Sequence, residues 1–203
     1  MLNSTIIIYG AFAGLVAILV TVAIERFGGL VGGVLGTIPS TIVPAAAGVY
    51  LIDGEATLAA SMSIVPLGML INGMFLGVWI IFPRYISNDN AKLPLTTLIS
   101  LITWIILAFT SLIIARFLTN GIITELTLAI IGLCALIALA VVFNLQANEA
   151  PKGVNKVPLL ILSLRGLAAG IAIAVCLWLA ELGLPFIAGL ASAFPAIFLT
   201  SMV

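Results

Sequence analysis

No charged side chain occurs from residue 1 to 24, from 27 to 52, from 56 to 83 or from 93 to 115. Runs of this length constrain the fold before anything else does. Inside a bilayer every backbone N–H and C=O must be satisfied within the chain, and a helix of about 20 apolar residues is the simplest element that crosses the hydrocarbon. The composition agrees: 64% of the 203 residues are hydrophobic and 7% are charged, against about 25% charged in soluble domains. Seven basic and seven acidic residues cannot clothe a water-facing surface, and the mean hydropathy is +1.40. The expectation is an all-α, polytopic integral membrane protein whose main partner is the lipid bilayer.

The charges and turn residues cut the chain into about seven expected transmembrane helices, at 5–24, 30–52, 56–82, 95–117, 121–143, 157–180 and 184–203, in a single transmembrane domain covering 1–203. Two connections, PRYISNDNAKLP and NLQANEAPKGVNK, are rich in Asn, Pro and Lys, as solvated loops are. Arg26, Arg84, Lys92, Lys152 and Lys156 fall on one side of this layout and Arg116 near the other. Short cytoplasmic loops carry the basic excess, so the N-terminus is expected outside and the C-terminus in the cytoplasm. The first apolar run has no basic residues before it and is longer than a signal-peptide core, so it reads as a retained span.

Zero net charge without a basic run removes nucleic acid as a partner. The absence of histidine removes the commonest general base and the commonest transition-metal ligand. No cofactor and no metal site is expected. Cys134 and Cys176 sit inside apolar runs and read as small hydrophobes, as do Met62 and Met69 on one helix face.

Sliding the chain along itself brings up an offset of 156, which pairs Gly10 with Gly166, Gly14 with Gly170, Glu25 with Glu181, Gly33 with Gly189 and Pro39 with Pro195. The copies run over about 5–52 and 161–203. Glycine matches are cheap in so biased a chain, so the rare glutamates and the mid-span prolines carry the signal. The offset moves the first span onto the sixth, and a shift of five spans reverses direction through the membrane. Inverted repeats of this kind, with broken helices near the midplane, are an architecture of secondary transporters. The second copy stops before its second span is complete, so a longer natural chain is expected. The five-span offset and short loops resemble five-plus-five inverted-repeat carriers such as the drug/metabolite transporter superfamily. The resemblance is one of architecture: neither GGLVGGVLGTIPSTIVPA nor AGLASAFPAIFLTS carries a family motif from which residue roles follow.

Candidate binding residues come from the breaks. Pro39 and Pro44, flanked by Thr37, Ser40 and Thr41, free carbonyls one turn back, and in lipid such groups need a hydroxyl, a water or a ligand. The pattern partly recurs at Ser192 and Pro195, and Asn72 is the most polar uncharged side chain at depth in the third span. These residues make the expected substrate or ion site, the alternative being kinks satisfied by their own hydroxyls. Charges in or beside spans cost up to about 3 kcal/mol at mid-membrane. Glu25 and Glu181, related by the repeat, and Arg165, about two turns into the sixth span, are therefore the expected coupling residues. For the glutamates the plainer alternative is solvation at a helix end; for Arg165 it is snorkelling. Glu125 reads as an interfacial carboxylate, and the stripe of Thr96, Ser100, Thr103 and Thr110 as interhelical packing or a polar path. Asp53, Glu55, Glu125 and Glu181 gather on the outer side, which tilts the expected solute toward cations and neutral molecules.

Together these readings point to a permease, not an enzyme, that moves a small solute or ion by alternating access with proton or cation coupling. A structural or assembly subunit docking through glycine-rich faces is the second expectation, and the same faces suit a homo-oligomer. A lipid-modifying enzyme is the third. Seven spans with the N-terminus outside are similar in outline to the glycerol-phosphate acyltransferases of bacterial membranes, but the short loops IDGE and NEAPKGVNK offer no evident base.

Overall fold

A computed structural model describes residues 4–27, 39–145 and 158–195, and every element in them is helical. In chain order these are α1 (Ser4–Phe27), α2 (Ile42–Ser63), α3 (Val65–Ile81) with a 3-10 turn at Phe82–Tyr85, α4 (Asp89–Thr119), α5 (Glu125–Asn144), α6 (Leu159–Glu181) and the short α7 (Pro185–Ser192). Five runs are long and apolar enough to cross a membrane: Ser4–Phe27, Ile42–Tyr85, Asp89–Thr119, Glu125–Phe143 and Leu159–Glu181. Two differences from the expected seven spans follow. Of the spans at 30–52 and 184–203, only the parts from 39 and up to 195 lie among the described residues. The run Ile42–Tyr85 takes in the end of one expected span and the whole of the next, divided at Gly54, whose φ of 79° and ψ of −165° are non-helical. Only glycine enters that conformation at low cost, so the chain turns where the sequence IDGE marks a boundary.

The burial pattern inverts that of a soluble bundle. On α1 the buried positions are mostly small, with Gly10, Ala13, Gly14, Ala17 and Thr21 spaced along one face, while Ile7, Phe12, Leu15 and Leu19 are exposed. With lipid as solvent, large apolar residues lose nothing outside, and small ones inside let backbones approach. Polar end groups match the helix ends. The Asn88 side chain accepts from the Asn90 N–H at 3.0 Å to cap α4, and Thr124 Oγ1 accepts from the Thr127 N–H at 3.2 Å to cap α5. Arg26 and Arg116 lie in last turns and Glu125 in a first turn, each favourable to the helix dipole.

Glycine contacts also fix the relative directions. Gly10 faces the Gly170 carbonyl and Gly14 the Gly166 carbonyl, so α1 and α6 run antiparallel. Gly73 and Gly77 of α3 receive Leu139 and Phe143 of α5, so α5 runs parallel to α3; Gly189 of α7 meets Ile64 just before α3 and Ala193 just beyond α7 meets Gly68, so α7 runs parallel to it as well. Two apolar clusters result. One joins α1, α2 and α6 around Ile6, Val49, Ile173 and Leu177 and includes Ala188. The other joins α3, α4 and α5 around Ile71, Phe75, Trp104 and Leu128 and includes Leu190.

Candidate functional site

The central feature is a helix that stops short. α7 starts at Pro185, where the missing N–H has no helical partner to lose, and ends at Ser192, about 14 Å along its direction from the Gly183 turn. Ala193, Phe194 and Pro195 follow without helical structure, and Pro195 is buried. The exposed backbone at this end is met by Asn72 of α3. Asn72 Nδ2 donates to the Ala193 carbonyl at 2.8 Å, and Trp104 Nε1 of α4 donates to Asn72 Oδ1 at 2.8 Å. The Trp104 ring in turn meets Phe194 edge-on, with centroids 5.2 Å apart and planes at 83°. One asparagine thus fastens three helices, and its buried amide is satisfied on both sides.

The opposing wall is also broken. Ile64 separates α2 from α3; Pro66 has no N–H to give the Met62 carbonyl, which accepts from the Ile64 N–H instead. Ser63 Oγ turns back to donate to the Ala60 carbonyl at 2.7 Å. Ser192 Oγ does the same to Gly189 at 2.7 Å. A side chain on Gly189 would overlap the Ser61 carbonyl, so the two broken ends are in backbone contact. Ser61 is fully buried, and its Oγ has no hydrogen-bond partner among the described residues. In the sequence Ser61, Ser63 and Pro66 belong to the same small and polar run of the third span as Asn72, but only Asn72 is among the expected binding residues.

The other expected site residues are distributed as follows. Pro39, Ser40 and Thr41 lead into α2, with the Ile42 N–H bonded to the Pro39 carbonyl at 2.9 Å. Thr41 occupies the N-cap position without a side-chain cap, Ser40 Oγ is buried with no partner among the described residues, and Pro39 is exposed. Thr37 lies outside the described residues, as do Gly28, Gly32, Gly33 and Gly36. Asn72 and the residues around Ser192 and Pro195 come together; the described contacts do not join Pro39 to them. In the α4 stripe Thr96 and Ser100 are buried beside Trp104, whereas Thr110 is exposed and donates to Ile106 at 2.8 Å. A cavity of about 600 Å³ opens between α4, α6 and α7, past Trp104 and Phe194, and its wall is apolar: Ala108, Phe109, Ala172, Leu190.

The expected coupling residues Glu25, Arg165 and Glu181 lie on α1 and α6. Residues 12 and 168 lie midway between the glycines of the α1·α6 crossing, which are the four glycines matched at the offset of 156 in the sequence. Glu25 and Glu181 lie 13 residues beyond those centres on helices of opposite direction, hence about 20 Å to either side. Arg165 is only three residues from the centre, and 9% of it is exposed. The Glu25 carboxylate acts on it electrostatically. Glu181 is exposed at the end of α6. Among the described residues no three His, Cys, Asp or Glu side chains come close enough to hold a metal ion.

No family model, curated protein or solved structure matches the chain.

Proposed function

We propose that the chain is a membrane permease, a secondary carrier of a small solute or ion working by alternating access in an inverted-repeat framework. The observation that carries the reading is that glycines matched at the offset of 156, Gly10 with Gly166 and Gly14 with Gly170, pack together in one antiparallel helix pair, the same offset that relates Glu25 to Glu181 and Pro39 to Pro195. An antiparallel pair has a local two-fold axis at its crossing. A crossing displaced by one turn would have given a different offset.

The directions of α1, α3, α5, α6 and α7 support a seven-pass layout in which the run Ile42–Tyr85 crosses twice, turning at Gly54. In that layout α7 is the entering half of a broken span, and Ser192, Asn72 and Pro195 line the substrate path. Glu25, Arg165 and Glu181 bias the exchange between outward- and inward-facing forms. Basic residues at Arg26, Arg84 and Lys92 put that end in the cytoplasm. The test is flux: purified protein in liposomes, challenged with a proton or sodium gradient, takes up cationic or neutral solutes. Glu25→Gln together with Glu181→Gln abolishes the gradient dependence. Absence of any flux in every condition would sink the reading.

A second reading, an assembly subunit, is favoured by the apolar groove between α4 and α6, which has room for an apolar guest. Cross-linking in native membranes that traps a stoichiometric protein partner decides for it.

A further inference from the structure

The geometry points to a buried water site in the seam between α3 and α4, held by the Trp79 indole N–H and the hydroxyls of Thr96 and Ser100. The site does not depend on transport.

One bond sets the register of this seam. Trp104 Nε1 donates to Asn72 Oδ1 at 2.8 Å, and the short connection through residues 82–88 returns α4 along α3 in the opposite direction. From that bond toward the connection, Trp79 lies seven residues on along α3, two turns away and on the same face as Asn72. Ser100 and Thr96 stand four and eight residues back along α4, on the buried stripe that includes Trp104. Trp79 and Thr96 are therefore about 10 Å and about 12 Å from the level of the bond, within one turn of each other.

Two polar groups at this level are unmatched. Thr96 is 1% exposed, and neither its Oγ1 nor the buried Nε1 of Trp79 has a partner among the described residues. The neighbouring hydroxyls give their protons to the backbone: Thr97 donates to the Leu93 carbonyl at 2.8 Å, and the fully buried Ser100 to the Thr97 carbonyl at 2.9 Å. Ser100 Oγ keeps its lone pairs. An indole N–H can only donate, whereas a hydroxyl both donates and accepts, and lipid offers neither a partner. One water completes the set. It accepts from Trp79, donates to Ser100 and shares a bond with Thr96, the three bonds that a buried water commonly makes. Serine and threonine also keep side-chain volume low here, where Leu76 and Leu101 belong to the surrounding cluster. The nearest charges along α4, Asp89 and Lys92, pair with each other at 2.6 Å, so a neutral guest suffices. Such a water extends the polar contacts of the α7 end, through Asn72 and Trp104, to within two turns of the start of α4.

The test uses the full chain labelled with heavy-nitrogen tryptophan in deuterated micelles. Its three tryptophans, Trp79, Trp104 and Trp178, give three indole signals, assigned by single replacements with phenylalanine. A cross-relaxation peak between the Trp79 indole proton and water is expected, with none at Trp104, whose N–H is given to Asn72. Thr96→Val, of the same shape, weakens that peak by about threefold or more and melts below the parent, because the water loses one of its holders. Thr96→Ser restores both. A parent protein without a water peak at Trp79 overturns the site whatever the variants do. So does a Thr96→Val protein that keeps the peak at full strength, or one that melts above the parent, which is the mark of a hydroxyl that had no partner to lose.

Discussion

Gly14 and Gly166 press backbone on backbone: a Cβ on Gly14 would stand 2.7 Å from the Gly166 carbonyl oxygen, and one on Gly166 would stand 3.1 Å from the Gly14 oxygen. Neither obstacle is a flexible side-chain tip. Gly14→Val is therefore expected to cost about 2–3 kcal/mol by forcing α1 from α6. Gly54→Ala, where nothing lies within 4 Å but φ is +79° and ψ −165°, costs about 1–3 kcal/mol from backbone conformation alone. Reversible unfolding in mixed micelles measures both, and a Gly14→Val variant as stable as the parent would refute the close-packing account.

Asn72 holds Trp104 and Ala193 together, so Asn72→Ala and Trp104→Phe are coupled. Hydrogen bonds between helices in lipid contribute modestly, and a coupling of about 1 kcal/mol is expected from the double-mutant cycle. Strict additivity would show that the bond adds nothing.

Glu25 and Arg165 interact across α1 and α6. Glu25→Gln lowers stability by removing the charge that acts on the guanidinium, while Arg165→Met restores part of the loss in the double variant, because an apolar side chain needs no counter-charge there. Melting temperatures of the four proteins give the sign. A double variant less stable than the sum of the singles would contradict it.

The two ends of the bundle are distinguishable by labelling. With Cys134 and Cys176 replaced by alanine, cysteines at Glu55 and Leu182 are expected to react with a membrane-impermeant maleimide from outside in intact cells. Cysteines at Tyr85 and Asn88, which lie at the end bearing Arg26, Arg84 and Lys92, react only after lysis. The opposite pattern would reverse the orientation.

Much of the helical layout was legible because charges and glycines are rare punctuation here. Asp53, Gly54 and Glu55 marked a turn that φ at Gly54 makes concrete, and Gly10, Gly14, Gly166 and Gly170 marked close approach. What those glycines touch was not legible. Small faces suit a second copy and a neighbouring helix equally well, and here the faces of α1 and α6 are taken up by each other. Helix pairing was hidden for the same reason: when all sides of a helix are apolar, periodicity no longer tells inside from outside. So Asn72 was noticed and its partner Trp104 was not, since a tryptophan in an apolar run reads as bulk until its N–H is seen to point at something. Ser61 stands in the sequence as one of several small or polar residues of its span, with Ser63, Pro66 and Asn72, and nothing there sets it apart. Its burial without a partner is a property of the assembled helices alone.

α7 has a mechanical meaning beyond its length. Ala188 belongs to the cluster of α1, α2 and α6, and Leu190, two residues on, to that of α3, α4 and α5. Eight residues therefore act as a wedge driven between two bodies, with its tip pinned by Asn72. A shift of that tip by a single residue's rise, about 1.5 Å, would disturb contacts in both clusters at once, so the short α7 ties the two halves of the described bundle together.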